Sequence, residues 1–294
     1  DWYDEILRLA PISSHSIGVT GGSENATYSF NSSYFSQEGI MDMKNEYERF
    51  NIQSSVDIKV SERLKVGANM VFSNATKYNP ENSAWFQAYF AVPILPVYDE
   101  LNTEATPIPF SDARVLGYRS SQNPFPVMTF NNNRLKIKKI LASAYMEYQL
   151  IPDKLKFRTS YSHDFSTISE RNVRLPYFVS QNSQREVSSI RRANQEYSNQ
   201  IWDNTLTYTD SFGNHNLTVL AGSSFRDEQD NLFHATGDDI RAAQLESSWY
   251  LNFTDPTSFG NDRVYELGDR LYSLSYFGRV EYSYNSKYLL NATV

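Results

Sequence analysis

Residues 46–60, EYERFNIQSSVDIKV, alternate between apolar and polar side chains along almost their whole length. Successive side chains of a β-strand point to opposite faces of its sheet. One face therefore carries Phe50, Ile52, Val56, Ile58 and Val60, and the other carries Asn51, Gln53, Ser55, Asp57 and Lys59. The stretch predicts a strand with one apolar and one polar side. Both a soluble sheet and a membrane β-barrel contain strands of this kind.

Nine further segments have strand character, so the predicted fold class is all-β. The ten predicted strands are residues 12–20, 27–35, 46–60, 64–76, 135–150, 154–165, 195–209, 215–226, 270–284 and 287–294. Most of them reach the about 9–11 residues that a tilted strand needs to cross a bilayer. Soluble β-sandwiches use shorter strands and shorter loops. The strand lengths therefore favour a transmembrane barrel.

The connections between the predicted strands alternate between short turns and long loops. The short connections, at 21–25, 61–63, 151–153, 210–214 and 285–287, are rich in turn-forming residues. The long connections have about 10, 58, 29 and 43 residues, whereas loops above about 15 residues are uncommon in compact soluble domains. This alternation places all long loops at one end of an antiparallel, up-and-down sheet. Outer-membrane barrels have this arrangement, with short periplasmic turns and long extracellular loops.

The composition is compatible with such a barrel. Aromatic residues make up 15% of the 294 residues, and most are Tyr or Phe, which favour strands and, for Tyr, membrane–water boundaries. The mean hydropathy of −0.54 is polar, as expected when half of each strand faces a watery lumen. No apolar run approaches the about 18 residues of a membrane-spanning helix.

Signatures of catalysis, metal binding and nucleic-acid binding are weak. The net charge of −7 argues against nucleic-acid binding, and the absence of cysteine removes thiolate chemistry and the common structural zinc sites. His163 and Asp164 are adjacent in a strand and therefore point to opposite faces. Asp238 and Asp239 follow Gly237 in a predicted loop and are interpreted as solvated carboxylates rather than a cation site. No catalytic residue, metal site or cofactor site is predicted.

Two blocks at opposite ends of the chain carry a family resemblance. Residues 1–40 are DWYDEILRLAPISSHSIGVTGGSENATYSFNSSYFSQEGI, and residues 275–294 are SYFGRVEYSYNSKYLLNATV. In each block a strand–turn–strand unit coincides with flanking aromatic residues. Both blocks resemble the SusC/RagA-type TonB-dependent outer-membrane transporters of Bacteroidota. Because they bracket the chain in the family's order, the resemblance extends from end to end.

The resemblance implies a fold and a function. Complete members of the family carry a signal peptide, an N-terminal extension, a plug and a barrel of about 22 strands. Residues 1–294 are thus expected to form a partial transmembrane β-barrel, about ten consecutive strands of one barrel domain, within a longer protein. The implied function is TonB-dependent import of a nutrient, a glycan or a peptide, across the outer membrane of a Gram-negative bacterium.

The resemblance also implies several partners. These are a SusD-like lipoprotein that forms a lid, the oligosaccharide or peptide cargo, membrane lipid and lipopolysaccharide. The TonB–ExbB–ExbD complex is expected to act through a plug and a TonB-contacting segment outside this chain.

Aromatic residues near the predicted strand ends are expected in the girdles where a barrel meets the two membrane surfaces. These residues are Tyr34, Phe35, Tyr47, Tyr78, Phe165 and Tyr288. The alternative is that they pack in a soluble core.

Aromatic residues in two long loops are the candidate contacts for cargo or lid. They are Trp85, Phe86, Tyr89, Phe90, Trp249, Tyr250 and Phe253. Aromatic rings stack on sugars and also fill protein interfaces. The alternative is that these side chains fold their own loops or fill the top of the barrel.

The main alternative function is that of a secreted or surface β-rich adhesin or glycan-binding module. A barrel exposes its apolar rows around its outside, whereas a sandwich packs them against a second sheet. A glycoside hydrolase is a more distant alternative, because the sequence offers no convincing pair of carboxylates. A partial barrel would have two unpaired edges, so the isolated segment is not expected to insert stably.

Overall fold

The computed structural model describes residues 1–118, 120–259 and 263–294. Its main feature is an antiparallel sheet of ten strands whose spatial order follows their order in the chain. The strands are β1 (Ile12–Gly22), β2 (Ala26–Glu38), β3 (Glu46–Lys59), β4 (Leu64–Asn79), β5 (Asn131–Ile151), β6 (Leu155–Arg174), β9 (Ser189–Phe212), β10 (His215–Asp238), β11 (Val264–Tyr284) and β12 (Tyr288–Thr293). The predicted strands and the up-and-down antiparallel fold are confirmed.

Short elements occupy the long connections and the beginning of the chain. They are the hairpin β7 (Tyr177–Ser180) and β8 (Ser183–Arg185), helices α1 (Trp2–Ile6), α2 (Ser83–Phe90) and α3 (Phe125–Thr129), and 3₁₀ helices at Ala113–Leu116, Glu246–Ser248, Leu251–Phe253 and Pro256–Ser258. Within the described residues, every helix is too short or too polar to cross a membrane.

The two ends of the sheet differ as predicted. One end has short turns at 23–25, 60–63, 152–154, 213–214 and 285–287, and the other has the long connections 39–45, 80–130, 175–188 and 239–263. Three of the short turns contain a residue with positive φ: Asp153 at 60°, Gly213 at 60° and Asn285 at 53°. Gly, Asn and Asp adopt this conformation at the lowest cost, which explains the turn chemistry of the sequence.

The strands extend further towards the long connections than predicted, and those connections are correspondingly shorter. The sixth predicted strand ends at 165, but β6 continues to Arg174. The eighth ends at 226, but β10 continues to Asp238. Both extensions remain fully paired with β9, although their sequence is mostly polar. Mostly polar residues occupy both faces of these extensions, so the apolar–polar alternation that marks a strand is absent, while backbone pairing continues.

The face that carries the apolar side of β3, here called the outer face, is apolar across the sheet. One row of residues in register consists of Tyr28, Val56, Ala68, Ala144, Tyr161, Trp202, Phe225 and Leu274. Large members of this row are exposed, with Trp202 at 52% and Leu274 at 60%. In the part of the chain that the structure describes, the second sheet is just the β7–β8 hairpin. This geometry is that of a barrel wall rather than a sandwich.

The opposite, inner face is polar and cross-linked. The predicted polar residues of β3, Asn51, Gln53, Asp57 and Lys59, lie on it. The Tyr145 hydroxyl donates to Asp57, and Lys65 Nζ lies 3.7 Å from the same carboxylate. The Arg158 guanidinium lies 4.3 Å from the Tyr145 ring centroid and 3.8 Å from Glu147. Such a face suits a watery lumen.

The predicted girdle residues divide between the two faces. Tyr34, Phe165 and Tyr288 lie on the outer face as expected. The prediction is wrong for Phe35 and Tyr47, which lie on the inner face with ring centroids 6.0 Å apart. Phe35 directly follows an outward tyrosine, and adjacent strand residues alternate. Tyr78 has outer-face register, but it is buried and covered by Lys44, whose Nζ lies 4.2 Å from the ring centroid.

Candidate functional site

An apolar cluster of helices at the long-loop end of the sheet positions α2. Trp2 and Ile6 on α1 are buried together with Ala84 and Ala88 on α2. The Trp2 indole N–H donates to the carbonyl of Val92 at 2.8 Å. Because the small alanines allow close approach of α1, this face of α2 is fixed and its opposite face is presented outwards.

The aromatic residues of α2 have two different roles. The Trp85 ring lies 5.6 Å from the Tyr3 ring and packs against the helical cluster. Phe86, Tyr89 and Phe90 are 68%, 70% and 52% exposed. Their spacing of three and four residues places them side by side, with 4.6 Å between the rings of Phe86 and Phe90 and 5.0 Å between those of Tyr89 and Phe90. These three residues form an exposed aromatic patch, whereas Trp85 packs against the helical cluster.

Trp249, in the last long loop, belongs to a second apolar cluster. It is buried with Val173 and Ile190, and its indole N–H donates to the carbonyl of Ala243 at 2.8 Å. The Arg171 guanidinium lies 5.0 Å from its ring centroid. With its ring enclosed and its only hydrogen-bond donor satisfied, Trp249 has the role of a packing residue.

Two arginines on neighbouring strands hold this loop. Arg171 and Arg192 are in direct register on β6 and β9. Arg171 is buried and its Nη2 donates to Glu246 Oε1 at 2.7 Å; this bond lowers the pKa of the Glu246 carboxyl. Arg192 donates to the carbonyl of Trp249 at 3.1 Å, and its guanidinium lies 5.3 Å from the Tyr250 ring centroid. Neither arginine was predicted from the sequence, because a basic residue near a strand end carries no pattern that distinguishes it.

The remaining predicted contacts, Tyr250 and Phe253, are more exposed than Trp249. The carbonyl of Phe253 accepts from the N–H of Arg241 at 2.8 Å, so the backbone there is fixed while the ring is accessible. Trp249 and Trp85 thus belong to two different apolar clusters.

A cavity of about 530 Å³ lies between three connections: the long loop before β5, the β7–β8 hairpin and the loop after β10. Tyr177 and Phe130 stack along one wall, with 5.2 Å between their ring centroids. Arg185 donates to Asn131 Oδ1 at 2.8 Å and to the carbonyls of Phe130 and Leu175 at 3.2 Å each. Burial raises the pKa of the Tyr177 hydroxyl and lowers the pKa of Arg185. The Arg185 guanidinium is therefore bonded to groups of the protein itself. The walls of the cavity are mainly apolar.

The predicted loop carboxylates need one correction. Asp238 is the last residue of β10 rather than a loop residue, and its carboxylate lies 2.8 Å from Arg263 Nη1. Among the residues that the structure describes, no group of His, Asp and Glu side chains is arranged to hold a metal ion.

Comparison with known proteins gives matches along the whole chain. TonB-dependent receptor P3 of Formosa agariphila is 29% identical over 312 residues, which cover 100% of this chain and 29% of that protein. TonB-dependent receptor SusC of Bacteroides thetaiotaomicron is 22% identical over 317 residues, covering 100% of this chain and 30% of that protein. No family model matches the chain.

A solved structure has a similar fold. The solved structure of the RagAB peptide transporter matches with a TM-score of 0.77 at 17% identity, covering 100% of this chain and 32% of that one. The chain therefore spans about three tenths of the length of its curated relatives. The predicted resemblance is confirmed: from end to end, this chain is similar to part of the β-barrel of SusC/RagA-type TonB-dependent receptors.

Proposed function

We propose that this chain forms part of the wall of an outer-membrane transporter that imports a nutrient with energy from TonB. The observation that carries the proposal is the ten-stranded sheet with an exposed apolar outer face and a polar inner face. Within a bilayer every backbone N–H and C=O must be paired, so such strands must close with others around a lumen. The long connections then stand at the extracellular mouth.

The exposed outer face also favours the transporter over an adhesin or a glycan-binding module. A sandwich would bury rings such as those of Tyr28 and Trp202 beneath a second sheet. Here the two rings are 53% and 52% exposed. Contact with lipid instead of water would make the exposure of these apolar surfaces favourable.

The cargo in this proposal is an oligosaccharide or a peptide, and the partner at the mouth is a SusD-like lipoprotein. The name of the solved relative describes that protein as a peptide transporter. The polar inner face would line the passage, and TonB–ExbB–ExbD would act through a plug. Transport, rather than bond cleavage, is the activity that this arrangement supports.

Cell fractionation and an uptake assay test this function. The intact protein, expressed in a Gram-negative host, is expected in the outer-membrane fraction. Uptake of a fluorescently labelled oligosaccharide or peptide library is expected to fall to background when either this gene or tonB is deleted. Recovery of the protein in the soluble periplasmic or secreted fraction would contradict the proposal.

The aromatic patch is the proposed contact for the lid. We expect the triple substitution Phe86→Ala, Tyr89→Ala and Phe90→Ala to weaken binding of the purified SusD-like partner by roughly 30-fold, since one aromatic hot spot contributes about 2 kcal/mol. Isothermal titration calorimetry measures this affinity. Leu101→Ala is the matched control, because Leu101 is an apolar residue of the same loop that is still more exposed, at 90%. If the triple variant binds like the Leu101 variant, the patch does not contact the lid.

A further inference from the structure

A change from apolar to basic side chains occurs along the outer face of β5. From the short-turn end upwards, this face carries Tyr148, Met146, Ala144, Ala142, Ile140, Lys138, Lys136 and Arg134. The apolar part rises about 20 Å at the usual strand tilt, close to the about 25 Å apolar band of outer-membrane barrels. Lys138 and Lys136, here called the basic column, therefore lie at the extracellular margin of the lipid.

Among the residues that the structure describes, no carboxylate forms an ion pair with either lysine of the basic column. Both lysines are exposed. Their in-register neighbours on β4 and β6 are uncharged: Asn74, Thr76, Thr167 and Ser169. Glu48 and Glu196 lie two strands away, about 10 Å, and Glu48 accepts from the Tyr34 hydroxyl at 3.0 Å. An external anion is thus the available partner.

A groove in the outer face lies directly below the basic column. Its volume is about 460 Å³, and small side chains, Ala68, Ala142 and Ala144, form its floor. Met70 and Tyr161 stand at its sides, together with His163, which is in register with Ala142 and bonds through Nε2 to Ser198 Oγ at 2.9 Å. Ile140 separates the groove from Lys138 on the same strand. A mainly apolar groove on a lipid-facing surface, with two cations above it, matches a molecule with an acyl chain and an anionic headgroup.

We propose that β5 carries a binding site for a phosphate-bearing lipid of the outer leaflet, with the phosphate against Lys136 and Lys138 and an acyl chain over Ala142 and Ala144. The inference rests on the proposed outer-membrane location. Ammonium groups at a membrane surface attract anionic headgroups, and the flanking Thr167 hydroxyl supplies a further donor for a phosphate oxygen. The outer face of β5 would then bind one class of lipid specifically, in addition to contacting the bilayer.

Native mass spectrometry of the intact protein tests the site. The protein, purified in a neutral detergent, is titrated with bis-phosphorylated lipid A, and the bound molecules are counted. We expect the double substitution Lys136→Gln and Lys138→Gln to weaken binding roughly 30-fold, and Ala142→Phe, which fills the groove, to weaken it roughly tenfold. Lys139→Gln is the matched control, because Lys139 faces inwards and pairs with Asp164 at 3.0 Å.

Three outcomes would overturn the proposal. The first is equal binding by the Lys136/Lys138 variant and the Lys139 variant. The second is unchanged binding after Ala142→Phe. The third is displacement of the lipid by inorganic phosphate, which would indicate a site for free phosphate. Heat-modifiable migration is measured on every sample. An inserted wild-type barrel that binds no lipid A contradicts the lipid site alone, whereas failure of the wild type to insert contradicts the proposed function.

Discussion

Replacement of Ala144 by arginine is expected to prevent stable insertion of the barrel, whereas replacement of the neighbouring Ser143 is not. Ala144 lies on the outer face near the middle of the apolar part of β5. An arginine at the bilayer midplane of an outer-membrane barrel costs about 2–4 kcal/mol. Ser143 lies on the inner face, where its hydroxyl contacts the side chain of Asn69. An arginine there would face the polar lumen.

The two variants are compared in the intact protein, by heat-modifiable migration and by the amount recovered in the outer membrane. Because both variants introduce an arginine at neighbouring positions of β5, the main difference between them is the face of the sheet that the arginine reaches. A loss of folded protein with Ala144→Arg, alongside near-wild-type recovery of Ser143→Arg, is the expected result. Equal recovery of both would mean that the outer face does not contact lipid, and the barrel interpretation of the apolar rows would fail.

The paired test addresses the part of the structure that the sequence predicts best. Alternation within the bilayer has a direct physical cause, since one face meets lipid and the other meets water. The apolar side chains of β3 and the row through Tyr28 and Leu274 were therefore predictable from sequence. Beyond the lipid this cause disappears, and the upper halves of β6 and β10 were missed although their backbone pairing is complete.

The loop end was less predictable, because its contacts join segments that are distant in sequence. Trp85 and Phe86 are adjacent and equally aromatic, yet one packs near Tyr3 and the other is 68% exposed. What separates them is the position of α1, which no local pattern around α2 encodes. The same is true of Arg171 on β6, whose partner Glu246 lies in the loop after β10.

Trp249→Ala is expected to release the last long loop, with a cost of about 3–5 kcal/mol for the cavity that removal of a buried tryptophan leaves. Trp249 is 8% exposed, and its loss also removes the ring beside Arg171 and the bond to Ala243. Hydrogen exchange of the amides in residues 239–259, measured on the intact protein, is expected to accelerate by at least 100-fold. The strands of the sheet should keep their protection, because they are paired independently of the loop.

Tyr250→Ala is the control for this prediction, since Tyr250 is the next residue and is 55% exposed. Removing this exposed ring, which lies 5.3 Å from the Arg192 guanidinium, should change the free energy of local loop opening by less than about 1 kcal/mol. The pair separates the two roles that the sequence left open. If Trp249→Ala leaves the exchange of the loop unchanged but abolishes uptake of cargo, the ring is a ligand contact and its packing role is wrong. If the exchange accelerates as expected and Tyr250→Ala alone impairs uptake, cargo recognition in this loop lies with the exposed ring, and the buried one serves to hold it in place.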